Sequence, residues 1–237
     1  MALPKVNEVL KFTLTVPSTK QTVRYRPYLV KEEKVLLQAF ESKDVSACVT
    51  AMCDTLDSCI EKDSGVDVRT LPTFDLEYMF LKIRSKSVGE SSDIVVRCKD
   101  ESCGHGNPIS VDLDKVEVGN ILDDNMIDIT DSIKVEMKYP TYDAITESEL
   151  ENDDLDVVLD MVTKCIVAVH TAEERIVTST LGKGELQEFL ESMTATQLKN
   201  VTSYLEEMPS LTHDISFQCG KCGIDNELTL KGLSDFF

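Results

Sequence analysis

The sequence predicts an α+β fold, on three observations. Runs of alternating apolar and polar residues, the period of a half-buried strand, stand near both ends of the chain. Stripes of apolar residues at i, i+3 and i+4, the period of a buried helix face, stand between them. One cysteine-bearing strand, turn and strand pattern is written twice, once from Asp93 and again from Asp214. The chain of 237 residues, 42% of them hydrophobic, has material for a genuine core in one large domain or two small ones. The pattern divides at residue 90: a β-hairpin and helical unit over 1–90, then an α+β unit over 91–237 that holds both cysteine hairpins.

Taken in order, "VLKFTLTVPSTKQTVRYRPYLV" alternates Leu10, Phe12, Leu14 and Val16, turns through "PSTKQ" and resumes with Val23 and Tyr25, which is a hairpin. "VKEEKVLLQAFES" is a short helix. The next helix is capped by Asp44 and carries Val45, Cys48, Val49, Met52, Cys53, Leu56, Cys59 and Ile60 on one buried stripe. Three cysteines are thereby assigned to core, where this residue type is most at home. A third helix starts from Thr73 as N-cap, presents Phe74, Tyr78 and Leu81, and stops before Gly89.

From Val111 to about Glu151 the chain turns acidic, with one clear strand alternating Ile133, Val135, Met137 and Tyr139. Leu155, Val158, Leu159, Val162, Cys165, Ile166 and Val169 then share one helical stripe, which puts Cys165 in the core as well. Two more helices are expected near 184–193 and 195–207, the second opened by the capping box of Thr194 and Gln197. The acidic "ESELENDDLD" lacks a calcium-loop pattern and reads as a solvated helix start.

Cys98, Cys103, Cys219 and Cys222 fall on no helical stripe. "DIVVRCKDESCGHGNPISVDL" and "DISFQCGKCGIDNELTL" each open with Asp-Ile, reach a cysteine pair followed by Gly, and leave through Asn into a second alternating strand. A tight turn carrying C-x₂₋₄-C presents only two thiolates to a metal, and Zn²⁺ takes four in a tetrahedron, so each knuckle needs another. The two segments supply two thiolates each, which makes one shared, zinc-ribbon-like four-cysteine site of Cys98, Cys103, Cys219 and Cys222 holding structural Zn²⁺. His105 in place of Cys103 is the competing ligand set. "CGKC" read as a redox pair would want a helix N-terminus after it to lower the thiol pKa. Strand-like "GIDNELTL" follows instead.

Catalytic patterns are missing. "LGKGEL" lacks the earlier Gly and the Ser or Thr of a P-loop, and no G-x-S-x-G, H-E-x-x-H or G-x-G-x-x-G occurs. The expectation is a protein that is not an enzyme. Eight cysteines, no apolar signal-peptide core in "MALPKVNEVL" and no window long enough to span a bilayer point to a soluble, unprocessed chain whose thiols are buried or bind metal, and whose sequon at Asn200 is idle. The net charge is −19; residues 1–40 carry seven Lys and Arg against three Asp and Glu, a net of +4, which leaves −23 on the remainder. Such a surface repels nucleic acid, while the basic segment offers a means of docking on an acidic partner.

"VRYRPYLVKEEKVLLQAFES", "LPTFDLEYMFLKIRSKSVGE", the paired cysteine hairpins and the terminal "LKGLSDFF" resemble the baseplate proteins of T4-type contractile-tailed bacteriophages. The resemblance spans nearly the whole chain and is most specific in "YRPYLVKEEK", "FDLEYMFLKIRSKSVGE" and "GLSDFF". It implies a non-enzymatic structural or assembly role in the central hub, through contacts with other baseplate hub proteins in the host cytoplasm. The family holds hub subunits and a related protein credited with catalysing hub assembly, and the quoted residues do not separate them. From another class, the alternative is a zinc-ribbon adaptor binding nucleic acid or other proteins; its basic face is wanting, since only Lys221 is basic near Cys219. A thiol oxidoreductase is the third reading. The apolar tail is expected to fold back on the knuckle hairpins, the competing role being a plug into a neighbouring protein.

Overall fold

In a computed structural model, residues 10–119, 121–122, 124–141, 144, 155–182 and 184–236 are described. The N-terminal residues 1–9, Phe237 and most of the acidic "ESELENDDLD" stretch lie outside them. Two units interleave along the sequence: the first takes Met1–Val68, Phe74–Gly119 and Ser210–Phe237, the second Arg69–Thr73 and Asn120–Pro209. Residues 90 and 91, where the sequence divides, both belong to the first unit.

The first unit begins with β1 (Phe12–Thr15) and β2 (Thr22–Tyr25), paired antiparallel with Leu14 opposite Val23. Leu14, Val16, Val23 and Tyr25 are buried as the alternation requires, whereas Leu10, one step before the ladder, stays exposed. Helix α1 (Val30–Ser42) starts where the Glu32 carboxylate accepts the Leu29 N–H at 2.8 Å, and stops at Lys43 in the left-handed region. Helix α2 (Val45–Cys59) has its expected cap, with Asp44 Oδ1 accepting the Ala47 N–H at 3.1 Å. Its inner face buries Met52, Cys53, Leu56 and Cys59, while Val45 of the expected stripe remains in solvent. Helix α3 (Thr73–Ser87) buries Phe74, Leu76, Met79, Phe80, Leu81 and Ile83. Its Asp75 is fully buried and accepts the backbone N–H and hydroxyl of Ser18 in the β1–β2 turn, a tertiary anchor for the hairpin.

The repeated segments fold as two antiparallel hairpins. Strand β3 (Ser91–Arg97) pairs with β4 (Gly106–Asp112), Val96 opposite Asn107. Strand β10 (Leu211–Gln218) pairs with β11 (Asp225–Lys231), Phe217 opposite Asn226, and on its other edge with the short β5 (Glu117–Val118). Val96, Val111, Leu113, Val116, Leu211, Ile215 and Leu230 share one core with Leu81 of α3 and with Phe236 of the tail. The tail therefore folds back. Phe236 is fully buried, its carbonyl accepts the Ser92 hydroxyl at 2.6 Å, and Asp235 accepts the Lys231 N–H at 2.8 Å.

In the second unit, β6 (Met126–Thr130), β7 (Ile133–Met137), β8 (Ile166–His170) and β9 (Arg175–Val177) form a four-stranded antiparallel sheet in that order. Helices α4 (Leu155–Cys165), α5 (Glu185–Glu191) and α6 (Ala195–Glu206) supply Leu159, Val162, Cys165, Leu190, Val201 and Tyr204 to a core with Val135, Met137 and Ile166. The capping box at Thr194 and Gln197 forms as expected. The long helical stripe does not. The helix ends at Cys165, and Ile166 and Val169 belong to β8, where β-branched side chains pack against β7 and the strand ladder outweighs helical continuation. The side chain of Leu155 lies outside the described set. Tyr139 falls beyond the end of β7 and stacks on Tyr204 at 5.0 Å. Among the described residues no helix is long and apolar enough to cross a membrane.

Candidate metal centre

Each knuckle is a strand end bent around a thiol. In the first, the Cys98 N–H reaches the His105 carbonyl at 2.9 Å and the Gly104 N–H reaches the Asp100 carbonyl at 3.0 Å; in the second, the Cys219 N–H reaches Ile224 and the Gly223 N–H reaches Cys219, both at 2.9 Å. Gly104 and Gly223, the glycines after the second cysteines, take φ of +53° and +74°. A side chain is strained there, so the backbone reversal requires glycine.

The two knuckles hold each other by exchanged side chains. Asn107 Oδ1 accepts the N–H of Gly220, the residue after Cys219, at 2.9 Å, and Asn226 Oδ1 accepts the N–H of Lys99, the residue after Cys98, at 2.7 Å. Each amide group donates back into its own hairpin: Asn107 to the carbonyls of His105 and Val96, Asn226 to that of Ile224. Both asparagines are nearly sealed from water, at 4% and 3% exposure, and their polar atoms are satisfied. The sequence shows these two residues only as equivalent points of a repeat, four positions past the second cysteine in each copy. That equivalence was the signal for their reciprocal role.

The result is a tetrathiol cluster. The ligand atoms of Cys98, Cys103, Cys219 and Cys222 all lie within 4.8 Å of one another, with Cys98 Sγ 3.6 Å from Cys222 Sγ and Cys103 Sγ 3.9 Å from Cys219 Sγ. A disulfide would bring two sulfurs to about 2.05 Å. Four sulfurs each about 2.3 Å from a central Zn²⁺ would instead stand about 3.8 Å apart, the edge of that tetrahedron. The observed separations fit the second geometry, and all four thiols are free. His105 is not part of the cluster; it contributes its backbone carbonyl to the first turn.

The electrostatics favour a first thiolate at Cys219 and oppose a second at Cys222. Backbone N–H groups of Cys222 and then Lys221 hold the Cys219 thiol down to about 6. Cys222 accepts the Ile224 N–H, which lowers it, but burial and the neighbouring sulfurs of Cys219, Cys103 and Cys98 outweigh that and push it up to about 12. One thiolate forms readily and opposes the next. A dication at the centre would remove that opposition, which is why soft thiolate sets and divalent metals select each other. The knuckle after Cys222 runs into β11, so the helix terminus on which a reactive C-x₂-C pair depends is not there.

Fold and site together define an α+β protein with a four-cysteine cluster between two hairpins. Residues 9–237 match the model of the family described as T4 bacteriophage base plate protein, and the chain belongs to that family. No curated protein and no solved structure matches it.

Proposed function

We propose that the protein is a structural or assembly component of the central hub of a contractile-tailed phage baseplate, that it acts in the host cytoplasm through contacts with other hub proteins, and that Cys98, Cys103, Cys219 and Cys222 hold one structural Zn²⁺. The family match over residues 9–237 carries the baseplate role. The metal assignment is supported by a donor set of four soft thiolates at tetrahedral spacing. Four protein ligands leave no open position for a water or a substrate, so the chemistry the ion supplies is cross-linking. Asn107 and Asn226 position the knuckles, Gly104 and Gly223 allow the backbone reversal, and Cys98 and Cys219 anchor the thiols in the buried side of the cluster. The role is not enzymatic.

The experiment is deletion of the gene from a phage that encodes this chain, followed by electron microscopy of tails and mass spectrometry of purified virions. Loss of complete hubs is the expected result. Peptides of the chain in wild-type virions then identify a hub subunit, and lost hubs without such peptides identify an assembly factor. Normal hubs in the deletion would overturn the proposal.

A further inference from the structure

The β3–β4 hairpin carries one protected edge and one open one. Hydrogen bonds from Cys98 N to His105 O and from Leu113 N to Glu90 O, each 2.9 Å, fix the phase of the ladder at both ends. In this register the even-numbered residues of β3 therefore bond to β4, and Asp93, Val95 and Arg97 turn their backbone N–H and C=O groups the other way. On β4 the outward groups are those of Gly106, Pro108, Ser110 and Asp112, and Pro108 has no N–H to offer. That edge is blocked in the manner natural sheets use against unwanted pairing. Among the described residues β3 carries no proline and pairs with no strand on that edge. An open cleft of about 470 Å³ runs along it, with Asp93, Val95 and Arg97 on one side and Leu228, Ser234 and Asp235 of β11 and the tail on the other.

The side chains on the open edge are complementary to themselves. Asp93, Val95 and Arg97 share the solvent face of β3, Val95 is 73% exposed, and neither Asp93 nor Arg97 has an ion-pair partner among the described residues. We propose that this edge is a homodimer interface, in which β3 pairs antiparallel with β3 of a second copy about a twofold axis through Val95. That register sets Asp93 opposite Arg97 of the second copy twice over and Val95 against its own counterpart. All three pairs fall at positions where antiparallel partners exchange two hydrogen bonds, giving about six across the axis. A twofold contact requires a patch that complements itself, which an Asp-x-Val-x-Arg edge does and an edge with charges of one sign does not. The union would convert two hairpins into one four-stranded sheet and pair the backbone groups that β3 turns into the cleft.

The test is sedimentation equilibrium of the full-length protein from about 1 to 100 µM, a range that reads dissociation constants typical of modest interfaces, with circular dichroism to check folding of each variant. Wild type is expected to dimerise. Arg97→Asp places like charges opposite one another at both ends and should raise the dimer dissociation constant by about tenfold or more. The exchange Asp93→Arg with Arg97→Asp restores both pairs in reverse and should return it to within about threefold of wild type. Val95→Pro removes the central N–H without disturbing the ladder to β4 and should give monomer. Wild-type protein that stays monomeric over the whole range would overturn the proposal, as would a dimer insensitive to Arg97→Asp or one that the exchange fails to restore.

Discussion

Asn107 and Asn226 show how much a single buried amide can decide. Each satisfies a backbone N–H of the opposite knuckle through an amide side chain that is itself buried, so truncation gives up those hydrogen bonds together with the bonds the amide donates, at a cost of about 1–3 kcal/mol. Asn107→Ala is therefore expected to lower thermal stability by that amount and to speed loss of metal to a chelator, because residues that orient ligands are commonly worth about 10- to 100-fold in affinity. Asn107→Asp keeps the acceptor for Gly220 but not the donors to Val96 and His105, and should fall between wild type and Ala; unchanged melting and metal release in both variants would contradict this role. A second residue-scale case is Glu136 in β7, which accepts from Arg175 at 2.9 and 3.1 Å and lies 2.8 Å from His170 Nε2. Arg175 first and His170 second hold its carboxyl at about 2, below the ordinary 4.5. Between those values the folded state binds fewer protons than the unfolded one. The stabilisation is whole above about pH 4.5 and is lost as pH falls through about 2. Because both partners are partly solvated, its size is about 1 kcal/mol or less. Denaturant titrations of Glu136→Gln should show a flatter acid limb in that window than wild type, and parallel limbs would remove Glu136 from the account.

At the scale of elements, the readable parts of the sequence are those where a local pattern and its tertiary use agree. The two knuckle hairpins were legible because turn glycines, cysteines and strand alternation recur together, and the caps at Asp44 and Thr194 were legible because capping is satisfied within a few residues. Strand β8 was not. Ile166 and Val169 continue the 3.6-residue spacing of α4, and only pairing with β7, far away in sequence, selects the strand. Strand β6 was hidden for a related reason, since "MIDIT" sits in acidic surroundings and gains its apolar contacts from the α6 side of the second core. The exchange of asparagines between knuckles is likewise a tertiary event, which the sequence marks only as two equivalent positions of the repeat. The tail is the element with the sharpest mechanical consequence: Phe236 fills the core shared by both hairpins, so Phe236→Ala should cost about 3–5 kcal/mol. Chemical denaturation of the isolated protein measures it, and a cost under about 1 kcal/mol would mean that the tail is not a structural part of the first unit.

At the scale of the whole molecule, the first unit is assembled from three separate stretches of chain, with residues 120–209 leaving it to build the second. Hairpins made of distant segments must be held together after that excursion. The Phe236 core closes one end of the pair, and the asparagine exchange with the tetrathiol cluster closes the other. A metal held there, as proposed, would link Cys98 and Cys103 to Cys219 and Cys222 across the excursion, and its binding energy would become folding energy, on the order of 10 kcal/mol or more for structural zinc in small domains. Other cysteines have no part in this: Cys53 is sealed in the α2 face, and Cys53→Ala should cost roughly 1–2 kcal/mol and leave the metal in place. The central claim is tested most directly by metal analysis of the purified full-length protein, run beside Cys222→Ser and Cys53→Ala with melting curves for each. About one zinc per chain in wild type and Cys53→Ala, with zinc lost and the melting temperature sharply lowered in Cys222→Ser, is the expected result. A metal-free wild-type protein that melts as Cys222→Ser does would contradict it.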